Sequence, residues 1–142
     1  MSDEIREGQT RTGFSVEDLI THEKGVLADI RSTEGPHVGR YTVNLHDLEM
    51  IGVRAIQSSI EDADIIVVDE VGPMELHSER FTQAVGDALH SQKVVLGTVH
   101  KRARHPLVVA VKSNTKVAIF DVTPENRDRL PAQILARIAP GK

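Results

Sequence analysis

An alternation of two periods along the chain from residue 45 restricts the fold more than any other feature of the sequence. Leu48, Ile51, Ala55, Ile56 and Ser59 recur at helical spacing, with Asn44 placed to cap the first turn, which predicts a helix over 45–62. An unbroken apolar run, Ile65-Ile66-Val67-Val68, then predicts a strand over 64–69. Phe81, Val85, Ala88 and Leu89 mark a second helix, KVVLGTV a strand over 93–99, and a weaker pattern a helix over 106–112. KVAIFDV predicts a third strand over 116–122, and a last helix opens on Thr123 as N-cap with Pro124 in its first turn and Leu130, Ile134 and Ile138 on one side. Strands that are apolar throughout and separated by helices predict an α/β fold: a mostly parallel sheet with helices on both faces. Ahead of it, extended segments 12–21 and 25–31 meet at His22-Glu23-Lys24-Gly25 as a hairpin, and a short strand over 40–43 follows Gly39.

The 142 residues suit one domain, 1–142, and no repeat or low-complexity linker divides them. Hydrophobic residues at 39% and charged residues at 27%, interspersed, are globular usage rather than disordered. No cysteine is present, which excludes disulfides, thiol catalysis and cysteine-held zinc, and the seven histidines lack metal-site spacing. Apolar runs fall far short of the roughly 20 residues that cross a bilayer, and MSDEIREGQT has no apolar core of a signal peptide, so a cytoplasmic protein without membrane contact is expected. A net charge of −4 with scattered Lys and Arg argues against a nucleic-acid backbone as ligand.

In parallel sheets ligands bind beyond the carboxyl ends of the strands. Three loops are singled out: Asp69 to Glu75, Thr98 to His105, and Asp121 to Arg127. In the first, Asp69 leaves a buried strand with its backbone held by the sheet, so its carboxylate can reach Mg2+ through a coordinated water. Glu70, pointing to the other side, can orient or deprotonate a water attacking a γ-phosphate, and Val71-Gly72-Pro73 would turn the chain close to the phosphates. The competing explanation is a pair of carboxylates solvated where a core strand ends; the adjacent Glu and the turn after it favour the chemical one. The partner motif, G-x-x-x-x-G-K-[ST], occurs nowhere in these residues.

The string D-E-V-G-P-M-E-L, Asp69 to Leu76, resembles the small nucleoside-triphosphatase family whose animal members are called cancer-related nucleoside-triphosphatases. Glu4-Ile5-Arg6 with Arg11-Thr12-Gly13-Phe14, Val38-Gly39-Arg40-Tyr41-Thr42-Val43-Asn44, Leu96-Gly97-Thr98, His105-Pro106-Leu107 and Thr123-Pro124-Glu125-Asn126-Arg127 are similar to further family stretches in the same order. The resemblance implies a P-loop NTPase fold of the RecA/AAA-like kind that hydrolyses nucleoside triphosphates, ATP and GTP among them, with Mg2+ and little base selectivity. It also implies a first strand, a glycine-rich P-loop and a first helix that these residues do not contain. The ten glycines agree, since none is followed by Lys-Ser or Lys-Thr. The chain is then either cut short or has lost the cradle, and is expected to carry only the Walker B half of the site and to turn over slowly or not at all by itself. An unpaired edge beside the strand ending at Asp69 would favour self-association.

Among related ATPases a polar residue at the tip of the next strand senses the γ-phosphate, a role that falls on Thr98; a plain strand position explains it equally. Lys101, Arg102, Arg104 and His105 form a basic cluster that could contact phosphate or simply be solvated. Asn126 and Arg127 could border base or ribose, or serve only the start of the last helix. The alternative reading of the whole chain is a non-catalytic binding or assembly module, with a nucleic-acid-directed ATPase third.

Overall fold

The computed structural model describes residues 1–139. Strands β1 (Ser2–Glu7), β2 (Thr10–Glu17) and β3 (Lys24–Asp29) run as an antiparallel meander, which β5 (Tyr41–Val43) and β4 (His37–Val38) extend in the order β1-β2-β3-β5-β4. Gly8, with φ at 63°, turns β1 into β2, a left-handed conformation that glycine adopts without steric cost. The expected hairpin forms as β2–β3, but its turn lies at 18–23 and not at His22-Glu23-Lys24-Gly25, because Glu17 pairs with Lys24 and so takes Lys24 and Gly25 into β3. Strand β1 adds to the hairpin without any apolar alternation, because Asp3, Glu4, Arg6 and Glu7 all lie exposed along it.

The helix over 45–62 forms as expected, in three continuous pieces: α1 (Leu45–Asp47), a wide π-type segment Leu48–Val53, and α2 (Arg54–Asp62). Asn44 caps it, its Oδ1 accepting the Asp47 N–H at 3.0 Å. Asp47 ties the helix to the sheet by accepting the Val26 N–H at 2.9 Å. A Cβ on Gly25 would sit 2.7 Å from that same Asp47 carboxyl, so the approach of β3 to the helix uses the missing side chain.

Strand β6 (Ile65–Val71), helix α3 (Glu79–His90) and strand β7 (Val94–Val99) follow, and β6 pairs with β7 in parallel. Ile66, Val68 and Val71 of β6 pack with Phe81, Ala84, Val85 and Ala88 of α3, with Leu48, Ile51 and Ile56, and with Val16 and Leu27 of the meander, in one core. Ser78 joins two of these elements: its hydroxyl accepts the Phe81 N–H at 3.1 Å, capping α3, and donates to Glu49 Oε2 at 2.8 Å. Lys93 Nζ donates to the Ala63 carbonyl at 2.6 Å, binding the start of β7 to the end of α2. Helix α4 (Pro106–Ser113) falls where expected.

Four expectations are corrected. The sheet is not mostly parallel: β6 and β7 are the parallel pair among the described residues, and the five-stranded sheet is antiparallel. Nor are both faces of β6 covered, since Ile65 and Val67 are 41% and 42% exposed while Ile66 and Val68 are buried, so an all-apolar strand is here buried on one side. Residues 116–122 form no strand and make local bonds such as Val117 N–H to Asn114 O at 3.1 Å. A strand exists only against a partner edge, and none pairs with this segment among the described residues. The last helix, α5 (Leu130–Ile138), starts at Leu130 instead of near Pro124. Pro131 explains the late start, because inside a longer helix it would lack the N–H for the Arg127 carbonyl and clash with it, whereas the first turn tolerates it.

The chain divides into two compact units, Met1–Val109 and a second from Ala110, with the boundary inside α4. No described helix is long and apolar enough to cross a membrane.

Candidate functional site

The carboxyl end of β6 departs from regular pairing at the positions singled out by sequence. Partners run in step from Ile65↔Val94 to Val68↔Gly97 and resume at Val71↔Val99, which leaves Asp69 and Glu70 together opposite Thr98. The extra residue makes a bulge, a device that re-aims side chains at strand ends. Asp69 and Glu70 both line one cavity, where regular strand alternation predicts opposite sides. Across the bulge Thr98 Oγ1 donates to Asp69 Oδ1 at 2.6 Å, so the hydroxyl fixes one carboxylate oxygen and leaves the other available.

The turn after the strand distributes its residues by size. Val71 enters the core, while its carbonyl accepts the His100 N–H at 3.3 Å. Gly72 is buried beneath the Glu70 carboxyl, and a Cβ there would lie 2.8 Å from Glu70 Oε1. Pro73 is exposed, and the Leu76 N–H closes the turn on the Gly72 carbonyl at 3.0 Å. The turn returns the chain into the core at Glu75, which is 5% exposed and whose Oε2 has no hydrogen-bond partner. Burial pushes its carboxyl up to about 7, with the nearby Glu70 charge adding to the effect and the N–H groups of Glu75 and Gly72 opposing it. Asp69, Glu70 and Glu75 share a cavity of about 170 Å³ with Val67, Val68 and Phe81.

Glu75 is the residue that sequence reasoning missed. A signal was present: it is the third carboxylate of D-E-V-G-P-M-E-L, set between the apolar Met74 and Leu76. The basic cluster proves local in part. His105 Nδ1 accepts the Leu107 N–H at 3.1 Å at the start of α4, while Arg102 and Arg104 are exposed. In the second unit Asn126 is occupied by its own turn, accepting the Thr123 N–H at 2.8 Å and donating to the Asp121 carbonyl at 2.7 Å; Arg127 is exposed. Among the described residues no group of three or more His, Asp or Glu side chains is arranged to hold a metal by itself.

The NTPase family's sequence model matches residues 1–135. The chain is 48% identical over 134 residues to the nucleoside-triphosphatase THEP1 of Methanosarcina barkeri, covering 94% of this chain and 75% of that protein. It is 43% identical over 137 residues to THEP1 of Thermofilum pendens, covering 96% of this chain and 75% of that protein. Its fold superposes on the crystal structure of THEP1 from Aquifex aeolicus with a TM-score of 0.79 at 31% identity, over 91% of this chain and 78% of that one. The solution structure of a human cancer-related nucleoside triphosphatase gives 0.81 at 30% identity, over 99% of this chain and 80% of that one. With a family match spanning nearly all of its length, the chain belongs to the NTPase family.

Proposed function

We propose that the chain hydrolyses nucleoside triphosphates to the diphosphate and phosphate, with Mg2+ and broad tolerance of the base. The observation that carries this reading is the bulge that gathers Asp69, Glu70 and Thr98 at one strand end, with Thr98 bonded to Asp69 at 2.6 Å. Asp69 would hold the metal through a coordinated water, since its second oxygen is a hard anionic donor and Mg2+ keeps several waters and takes substrate phosphates rather than a full protein cage. The donors fit that ion, since the Asp69 carboxylate and the Thr98 hydroxyl are both hard oxygen groups. When bound, the metal would neutralise charge developing on the β- and γ-phosphate oxygens. Glu70 orients the attacking water and accepts its proton, and Thr98 holds Asp69 and can sense the γ-phosphate. Gly72 keeps the turn slim enough for Glu70 to fold over it, and Val71 and Pro73 set its path near the phosphates. Arg127 is the candidate for base or ribose, with Asn126 shaping its turn.

Residues 1–142 contain no G-x-x-x-x-G-K-[ST] cradle, and three carboxylates alone repel a triphosphate, so turnover by these residues is expected to be slow. The test is magnesium-dependent phosphate release by the purified chain. Slow release at similar rates from ATP, GTP, CTP and UTP, falling to background in E70Q, supports the reading. Release that ignores magnesium or survives E70Q overturns it, and fast Glu70-dependent turnover overturns the need for the cradle. Nucleotide binding with no release would select the second reading, a non-catalytic binding or assembly module, which the missing cradle favours.

A further inference from the structure

The Glu75 carboxyl accepts the N–H groups of Gly72 and of Glu75 itself, which holds the turn but does not use its second oxygen. The cap of α3 belongs to Ser78 and the tether to the preceding helix belongs to Glu49, so neither junction uses Glu75. Its Oε2 is enclosed without a partner, and buried polar atoms in that state are rare enough to need a cause. The cavity it lines is large enough for several waters at roughly 30 Å³ each, and a buried water needs two to four polar partners. Such partners are at hand, because Asp69 and Glu70 line the same space. Gly72 brings two of these acids together: the Glu70 carboxyl lies against its Cα, and its N–H is directed to the Glu75 carboxyl.

We propose that Glu75 is a positioning residue for Glu70, acting through a water held between its unpartnered Oε2 and Glu70 in the cavity that both residues line. The proposal deepens the assignment of Glu70 as the water-orienting base and rests on it. A water can donate to one carboxyl oxygen and accept from a protonated one, so one water between Glu75 and Glu70 gives the enclosed Oε2 a partner and limits where the Glu70 carboxyl can swing. The ionisable groups around this space favour the neutral form. Asp69 and Glu70 border it from β6, Glu17 and Asp18 from the end of β2 and the turn after it, and Met1, whose amino terminus is close to Glu75, from just ahead of β1, so acids outnumber bases. Burial displaces the Glu75 carboxyl upward, and the Glu70 charge adds to the effect while the amino terminus opposes it.

The experiment uses the full 142-residue chain and two variants, E75Q, which retains a hydrogen-bond donor at every pH, and E75L, which fills the space without one. Crystal structures at high resolution, grown below and above neutrality, are the first readout. A water bridging residue 75 to Glu70, with Glu70 ordered, is expected in wild type below neutrality and in E75Q at both conditions. Glu70 is expected to move or disorder in E75L and in wild type above neutrality. A Glu70 carboxyl in the same place in E75L, or no water in wild type, overturns the proposal. Phosphate release is the second readout: E75Q is expected to keep wild-type turnover within about threefold and to lose the alkaline decline, while E75L lowers kcat about tenfold or more with KM unchanged. Equal alkaline declines in wild type and E75Q also overturn it. If the bridging water is present and release ignores E70Q, the placement stands and the catalytic reading of Glu70 is what fails.

Discussion

Asp69, Glu70 and Thr98 could be picked out by residue type and by position at strand ends, and the structure brings these three together. Glu75 could not, because a carboxylate in a short loop is solvated far more often than buried, and only the return of the turn into the core decides between the two. Its burial has a measurable consequence for stability. The folded chain holds the Glu75 proton up to about 7 while the unfolded chain releases it near the ordinary 4.5. Below 4.5 both states are protonated and nothing is lost; as pH rises from 4.5 to about 7 the unfolded state is favoured progressively, and the cost is complete above that window. That difference amounts to about 3 kcal/mol. E75Q is therefore expected to raise the urea midpoint above neutrality and leave it unchanged below pH 4.5, and an equal gain at both would refute the linkage. Gly72 makes a second prediction. Since the neighbour that an added Cβ meets is the end of the Glu70 side chain, G72A should displace that carboxyl, with a melting temperature close to wild type and phosphate release reduced about tenfold or more. A fully active G72A would show that the Glu70 position does not matter.

At the scale of elements, helices with caps were legible and elements that needed distant partners were not. Asn44 capped its helix as read, because a cap is a contact between residues three apart. The last helix starts later than Thr123-Pro124 signals, because Pro131 forbids continuity through the next turn. Residues 116–122 have strand composition and form no strand, for a strand needs an edge that its own sequence cannot supply. Ser78 offers the clearest test of how elements are joined. S78A removes the cap of α3 and strands Glu49 Oε2 without its donor, so a loss of about 1–2 kcal/mol is expected in chemical denaturation. S78T, which keeps the hydroxyl, should recover part of it, and equal losses in both variants would point to packing around the buried Ser78 instead.

For the molecule as a whole, the two-stranded sheet β6–β7 presents Ile65, Val67 and Val94 at 41%, 42% and 41% exposure, beside strand edges that no described strand pairs. We propose that copies of the chain associate through this region, as exposed apolar strand edges tend to do. Sedimentation velocity should show mass rising with concentration and V67K returning the chain to monomer; a wild-type monomer at high concentration would remove the idea. The helical periods, the Asn44 cap, the existence of the β2–β3 hairpin and the residue types at the end of β6 were legible in the sequence, because each depends on neighbours within a few positions. The tertiary structure alone decided that Asp69 and Glu70 share one cavity, that Glu75 is buried beside them, and that 116–122 stays unpaired. Those outcomes depend on register with β7, on the core that receives the turn, and on whether an edge is offered, and each is set by residues far away along the chain.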